Sequence, residues 1–294
     1  MTAASQEPIR WPAEAIWQAV EPQLPGFTIE IVPSIDSTNT ELMRRAREGR
    51  QEPILLVAEQ QTAGRGRLGR PWRSEVGDSL MFSLGLPLAP RDWSGLSLAV
   101  GVSVAESLQP QLPTLPAAGS AALQEPKIGL KWPNDLWLTG DRKLAGILVE
   151  TASFIAAGAH PASASGYFDQ QALRYVVIGI GINVRAPQGE GLSTVPGSLQ
   201  MVDSRWDAPQ ALAAVVPTLV NTVQAFSRQG FAPLQQRFAA RDALTGRAVS
   251  LSDGTQGTVQ GVAADGALQV QTAAGVVSVT SSEISVRPQP PVQG

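Results

Sequence analysis

Residues 64–72 read Gly-Arg-Gly-Arg-Leu-Gly-Arg-Pro-Trp, and the strand-like run that follows at 79–86 decides which α/β folds are open to this chain. Gly64, Gly66 and Gly69 match Gly-x-Gly-x-x-Gly, the dinucleotide fingerprint, which must open a helix so that a pyrophosphate rests on its N-terminus. Here Pro71 and Trp72 come next, and then Leu80, Phe82, Leu84 and Leu86 alternate as a strand. With no helix in that place, the doubly wound dinucleotide fold is excluded. No Gly-Lys-Ser/Thr triplet occurs, which removes the P-loop as well. An arginine-rich loop between two strands remains, the first strand at residues 54–58. Glycines let such a loop turn its N–H groups toward a ligand, and guanidinium forks grip phosphate or carboxylate oxygens, so a small phosphate-bearing molecule is the expected cargo.

The rest of the chain alternates helix and strand patterns until residue 244. A short helix is expected at 11–21, a strand at 27–32, and a helix carrying Leu42, Met43 and Ala46 that ends at Gly49. Thr38 and Glu41 have capping-box spacing at its start. A buried helix is expected at 95–108 and strands at 128–131, 136–138, 143–150 and 175–184, with helical sequence at 209–229 and 233–241. After Leu244 short alternating strands are separated by Asp253-Gly254, Asp265-Gly266 and Ala274-Gly275, the spacing of a small barrel or sandwich.

Composition narrows the chemistry. At 294 residues and 43% apolar content the chain suits about two packed domains. No apolar run reaches the roughly 18 residues of a membrane span, and residues 1–10 lack a signal-peptide segment; a soluble, cytoplasmic protein is expected. Without cysteine there is no thiol catalysis, disulfide or structural zinc. The one histidine, His160, lies in Ala/Gly/Ser-rich sequence and reads as loop. A net charge of −3 argues against a protein built around a nucleic-acid backbone.

Three further clusters carry polar groups. Lys131-Trp132-Pro133-Asn134-Asp135 ends a strand, where open sheets display ligand contacts, although an ordinary polar turn reads the same way. Asp141-Arg142-Lys143 places a lysine at the mouth of an apolar strand, or a solvated charge on a hairpin. Gly179-Ile180-Gly181-Ile182-Asn183 sets glycines inside a strand, which fits either a ligand or a packing neighbour.

In order along the chain, Ser37-Thr38-Asn39, residues 61–70, Lys131-Trp132-Pro133-Asn134-Asp135, Arg142-Lys143-Leu144-Ala145-Gly146 and Gly179-Ile180-Gly181-Ile182-Asn183 resemble the biotin protein ligases. The resemblance covers residues 31–287. It implies an α+β fold: a mixed-sheet catalytic domain of the biotin/lipoate ligase type at 31–243, after a short N-terminal extension at 1–30, and a small C-terminal all-β, SH3-like barrel at 244–294. It also implies an ATP-dependent, AMP-forming ligase that makes biotinyl-5'-AMP and passes biotin to a lysine of a carrier domain, that of acetyl-CoA carboxylase or another biotin-dependent carboxylase. Biotin is then a substrate, and ATP comes with Mg²⁺ but without a dedicated protein metal site.

By matching position, Ser37, Thr38, Asn39, Gln61, Gly64, Arg65, Gly66, Arg67, Lys143 and Gly146 are expected to bind biotin. Arg67, Arg70, Trp72, Lys131, Asn134, Asn183 and Arg287 are expected to bind ATP or the adenylate, with Arg67, Lys143 and Asp135 catalytic. Arg65, Arg67, Arg70 and Lys143 would together cancel the repulsion between carboxylate and phosphate, and Asp135 would deprotonate the acceptor lysine. A homodimer through a sheet edge is left open, and neither DNA nor a membrane is an expected partner. Residues 74–79 and 156–170 depart from the family pattern. A lipoate–protein ligase, and a non-catalytic nucleotide- or nucleic-acid-binding regulator, are the alternatives.

Overall fold

The computed structural model describes residues 8–72, 75–113, 126–153, 173–187, 194–280 and 284–289. His160 and the departure from the family pattern at 156–170 lie outside these residues, as does residue 74.

Seven strands build the larger sheet: β1 (Thr28–Ile35), β2 (Ile54–Gln61), β3 (Ser79–Leu88), β4 (Ile128–Lys131), β5 (Asp135–Leu138), β6 (Arg142–Ser153) and β7 (Arg174–Asn183). Their order is β1-β2-β3-β7-β6-β5-β4. Only β1 and β2 run parallel, joined through helix α2 (Thr38–Arg47); every other pair is antiparallel. The sheet is therefore mixed, as expected.

The two faces of β7 explain how the site is made. Val176, Ile178, Ile180 and Ile182 point into the main core, against helices α3 (Leu96–Leu108) and α4 (Ala208–Gln229). Each such side chain contributes roughly 1.5–3 kcal/mol by leaving water. On the other face Tyr175 and Val177 pack with Leu42, Met43 and Ala46 of α2 and Leu56 of β2. Two residues further along that face the apolar side chains stop, and Gly179 and Gly181 take their places. Helix α2 thus covers one end of the sheet, and the glycines leave the other end low.

Helix α1 (Ala13–Val20) lies against α4 and sends Ile16 and Val20 into the main core, and Trp17 donates its indole N–H to the Phe27 carbonyl at 3.0 Å. The described part of the expected N-terminal extension is part of the packed body. At α2 the capping residue is Ser37, one position ahead of the expected Thr38; its hydroxyl accepts from the Thr40 N–H. Glu41 pairs with Arg44 and Arg45 instead of reaching back over the helix start. Thr38 is thereby freed for the site.

Strands β8 (Ala248–Leu251), β9 (Gln256–Val262), β10 (Leu268–Thr272), β11 (Gly275–Val279) and β12 (Val286–Pro288) form a second, wholly antiparallel sheet in the order β11-β10-β9-β8-β12. Gly254, Gly266 and Gly275 adopt positive φ at its turns, which is why glycine stands there. This sheet is docked onto the larger unit. The Trp132 indole N–H donates to the Gly266 carbonyl at 3.0 Å, and Arg247 forks onto Asp141 at 2.6 and 2.7 Å. Among the described residues no helix is long and apolar enough to cross a membrane.

Candidate active site

At the α2 end the sequence-picked residues form a closed hydrogen-bond network. The Gln61 side-chain oxygen accepts from the Thr38 backbone N–H at 2.7 Å and lies 3.2 Å from the Thr38 hydroxyl. Asn39 presses onto β7, where a Cβ on residue 179 would stand 2.0 Å from its side-chain oxygen; Gly179 is glycine because the amide occupies that space. Its NH₂ donates to the Leu148 carbonyl at 3.3 Å and to the Glu150 carboxylate at 2.9 Å, and its oxygen accepts from the Ser83 hydroxyl at 2.6 Å. Both N–H bonds of Asn39 are thus committed to protein.

The opposite end gathers charge. Lys143 Nζ lies 2.7 Å from Asp135 Oδ1, an ion pair outside hydrogen-bonding angles, since that oxygen has no hydrogen-bond partner among the described residues. Lys131 is buried beside them with its ammonium 4.9 Å from the Trp137 ring centroid, and burial pushes its pKa down to about 8, against the opposing pull of Asp135. Strand register explains the grouping. Lys131 faces Asp135, Asp135 faces Gly146, and Gly146 faces Gly181, so one row across four strands carries two charges and then two glycines. Trp72 lies on those glycines: a Cβ at Gly181 would come within 2.6 Å of its ring and one at Gly146 within 3.3 Å. Its indole N–H is buried with no hydrogen-bond partner among the described residues, and Lys143 Nζ sits 5.7 Å from the ring. Asn183 donates its NH₂ to the carbonyls of Lys143 and Gly197, at 3.1 and 3.0 Å, and so clamps the backbone from which Lys143 projects.

The arginine loop spans the two ends. It closes on itself through Gly66 N–H to Arg70 carbonyl at 2.7 Å and Trp72 N–H to Gly64 carbonyl at 2.8 Å, and a Cβ at Gly64 would meet the Trp72 carbonyl at 2.7 Å. Leu68 takes φ +56°, uncommon outside glycine. The three arginines part company. Arg65 pairs with Glu150 at 3.0 Å and reaches the Thr40 hydroxyl at 3.1 Å. Arg67 donates to the Asn134 side-chain oxygen at 2.8 Å and the Ile284 carbonyl at 3.3 Å, and Arg70 to the Ser285 hydroxyl at 3.3 Å.

Arg65 and Arg287 stand apart from the other expected residues. The four cations do not act as one cluster, because Arg65 is neutralised by Glu150 at the α2 end while Arg67 and Lys143 stand at the other. Arg287 is exposed on β12, beside buried Val286, and among the described residues makes none of the contacts that draw the others together; Ile284 and Ser285, just before that strand, meet the arginine loop. Sequence reasoning missed Ser83 and Glu150. Both sit in apolar strands where strict alternation onto the glycine-bearing face of β7 was the one available signal.

Residues 31–160 match the Biotin/lipoate A/B protein ligase family, and residues 244–287 match the Biotin protein ligase C terminal domain. The bifunctional ligase/repressor BirA of Escherichia coli is 33% identical over 272 residues, covering 90% of this chain and 76% of that one. A biotin–[acetyl-CoA-carboxylase] ligase of Paracoccus denitrificans is 29% identical over 85% of this chain and 96% of its own length. The solved structure of the biotin protein ligase from Aquifex aeolicus in complex with biotin and ATP superposes with a TM-score of 0.68 at 26% identity, over 89% of this chain and 99% of that one. The chain belongs to the biotin/lipoate protein ligase family. Within it, the C-terminal match and these relatives place it among the biotin protein ligases.

Proposed function

We propose that the protein catalyses both half-reactions at the site between α2 and Lys143. In the first, a biotin carboxylate oxygen attacks the α-phosphorus of ATP and pyrophosphate leaves, giving biotinyl-5'-AMP. In the second, the amine of a carrier-domain lysine attacks the biotinyl carbonyl carbon and AMP leaves. The observation that carries this reading is the Asp135–Lys143 pair beside the Gly146–Gly181 floor: a cation and a base next to a stretch of sheet whose glycines admit the ring of Trp72.

Bringing a carboxylate to a phosphate requires cations fixed in advance, and Lys143, Arg67 and Lys131 are held there by protein partners or burial. Ser37, Thr38, Asn39, Gln61 and the 64–66 backbone shape the end that takes the ureido ring, and Trp72, Arg70, Asn134 and Asn183 border the nucleotide. Asp135, once Lys143 turns to the phosphate, is free to accept a proton from the acceptor ammonium, which must lose it to become a nucleophile. Among the described residues no three acidic or histidine side chains converge on one point. Asp135 is already paired, so we assign Mg²⁺ to the nucleotide's own phosphates.

Residues 31–243 form the catalytic unit in this proposal and residues 244–294 the barrel that touches its arginine loop. The acceptor is a carboxylase biotin carrier domain, the cell compartment the cytoplasm, and the outer edge of β1 the place where two copies would pair. A net charge of −3 gives no support to DNA binding. ATP–pyrophosphate exchange with biotin against lipoate tests the reading: exchange is expected with biotin, and exchange with lipoate alone would move the chain to the sister activity.

A further inference from the structure

Glu150 is a charge that neither half-reaction uses, yet it stands inside the site. Its place in β6 opposite Val177 puts it on the α2 face of the sheet, and its side chain joins three otherwise separate pieces. It accepts from the Asn39 amide at 2.9 Å, and Arg65 reaches both its oxygens at 3.0 Å. Arg65 in turn lies 3.1 Å from the Thr40 hydroxyl, so one carboxylate ties the start of α2, the arginine loop and β6 together.

The consequence is a site with two unlike ends. The Glu150 end carries a neutralised ion pair and an amide whose orientation is fixed by Ser83 and Leu148. The other end carries Lys143, Lys131 and Arg67, with Asp135 as the carboxylate facing them. A long ligand that is neutral at its head and anionic at its tail fits that gradient in one direction alone, because the cation at the head end is already paired with Glu150 while three cations share Asp135 at the other.

We propose that Glu150 is a positioning residue that sets the direction in which biotin enters, by holding Asn39 in one arrangement and cancelling the charge of Arg65, so that the substrate carboxylate is drawn to Lys143. This rests on the ligase reading above and adds to it a residue that acts on biotin and not on ATP.

The test is ATP–pyrophosphate exchange on the full chain with Glu150→Ala and Glu150→Gln, varying biotin and ATP separately and monitoring thermal unfolding. Loss of a charge-assisted contact is worth roughly ten- to hundredfold, so KM for biotin should rise by about that factor in Glu150→Ala while KM for ATP stays within about twofold. Glu150→Gln keeps an acceptor for Asn39 and should fall between it and the wild type. An unchanged KM for biotin in a folded Glu150→Ala protein would overturn the proposal, as would an equal loss toward both substrates, the mark of a merely structural role. A wild type that exchanges nothing would instead overturn the ligase reading, and the proposal with it.

Discussion

The two ends of the site differ in how far protein partners satisfy their polar groups. At the α2 end Asn39, Thr38, Gln61 and Ser83 bond to one another, and Glu150 closes the set with Arg65. At the Lys143 end Lys131 rests on a tryptophan face, and among the described residues Asp135 Oδ1 has a charge partner but no hydrogen bond and the Trp72 N–H has none. A finished network is rigid and selective before any ligand arrives, since each broken bond would strand a buried group at about 1–3 kcal/mol. An unfinished one holds its cations at a cost that an anion relieves. In the proposed reading, recognition and chemistry are thus separated along one strand, β6.

The largest effect should come from removing the charge that defines the second end. Lys143→Ala is expected to lower the rate of adenylate formation on the order of a thousandfold while leaving biotin's head-end contacts in place. Near-normal pyrophosphate release from that variant would mean the two ends are not divided as described.

A smaller effect is expected at the first end. Gly179→Ala puts a Cβ within 2.0 Å of the Asn39 oxygen, so the amide must move and its bonds to Ser83 and Glu150 must break. A loss of about 1–3 kcal/mol in unfolding free energy and weaker biotin binding should result. Unaltered binding by titration calorimetry would show that Asn39's position is not what the network protects.

The smallest expected effect is a pH dependence that sharpens the contrast. Burial depresses Lys131 to about 8, so in the free enzyme its charge is present below that pH and lost as pH rises through it. Since a nucleotide binds the charged form, kcat/KM for ATP should fall above pH 8 while kcat/KM for biotin holds level. Lys131→Arg, whose charge persists, should move the fall to higher pH. The sign for stability is opposite: a lysine whose folded pKa is depressed destabilises the fold at low pH, and that cost lessens as pH rises from about 8 toward its unfolded value.

Much of this was legible in the sequence. The alternation of β3 and β7, the helical period of α4 and the glycine turns after Leu244 each arise from local pattern, and the structure returns them with ends shifted by a few residues. The helix cap was misplaced by one residue because Ser37 and Thr38 are both good caps, and only the pull of Gln61 and Ser83 on Thr38 separates them. Lys143, Asp135 and Trp72, which the fold brings together, each stand in a motif visible in the sequence. Glu150 and Ser83 belong to no motif, and Arg287 was placed by position alone.

By itself the sequence determined which residue types stand on which strand, and hence that one face of β7 would be bare at Gly179 and Gly181 while the other was fully apolar. That is short-range information, set by a period of two and the missing side chain of glycine. Only the tertiary structure decided which side chains from distant segments would fill or border the bare face. Asn39 on Gly179, Trp72 on Gly181 and Glu150 across to Arg65 are contacts among residues far apart in the chain, fixed by strand register and by packing of helix and loop onto the sheet, and no local pattern carries that register.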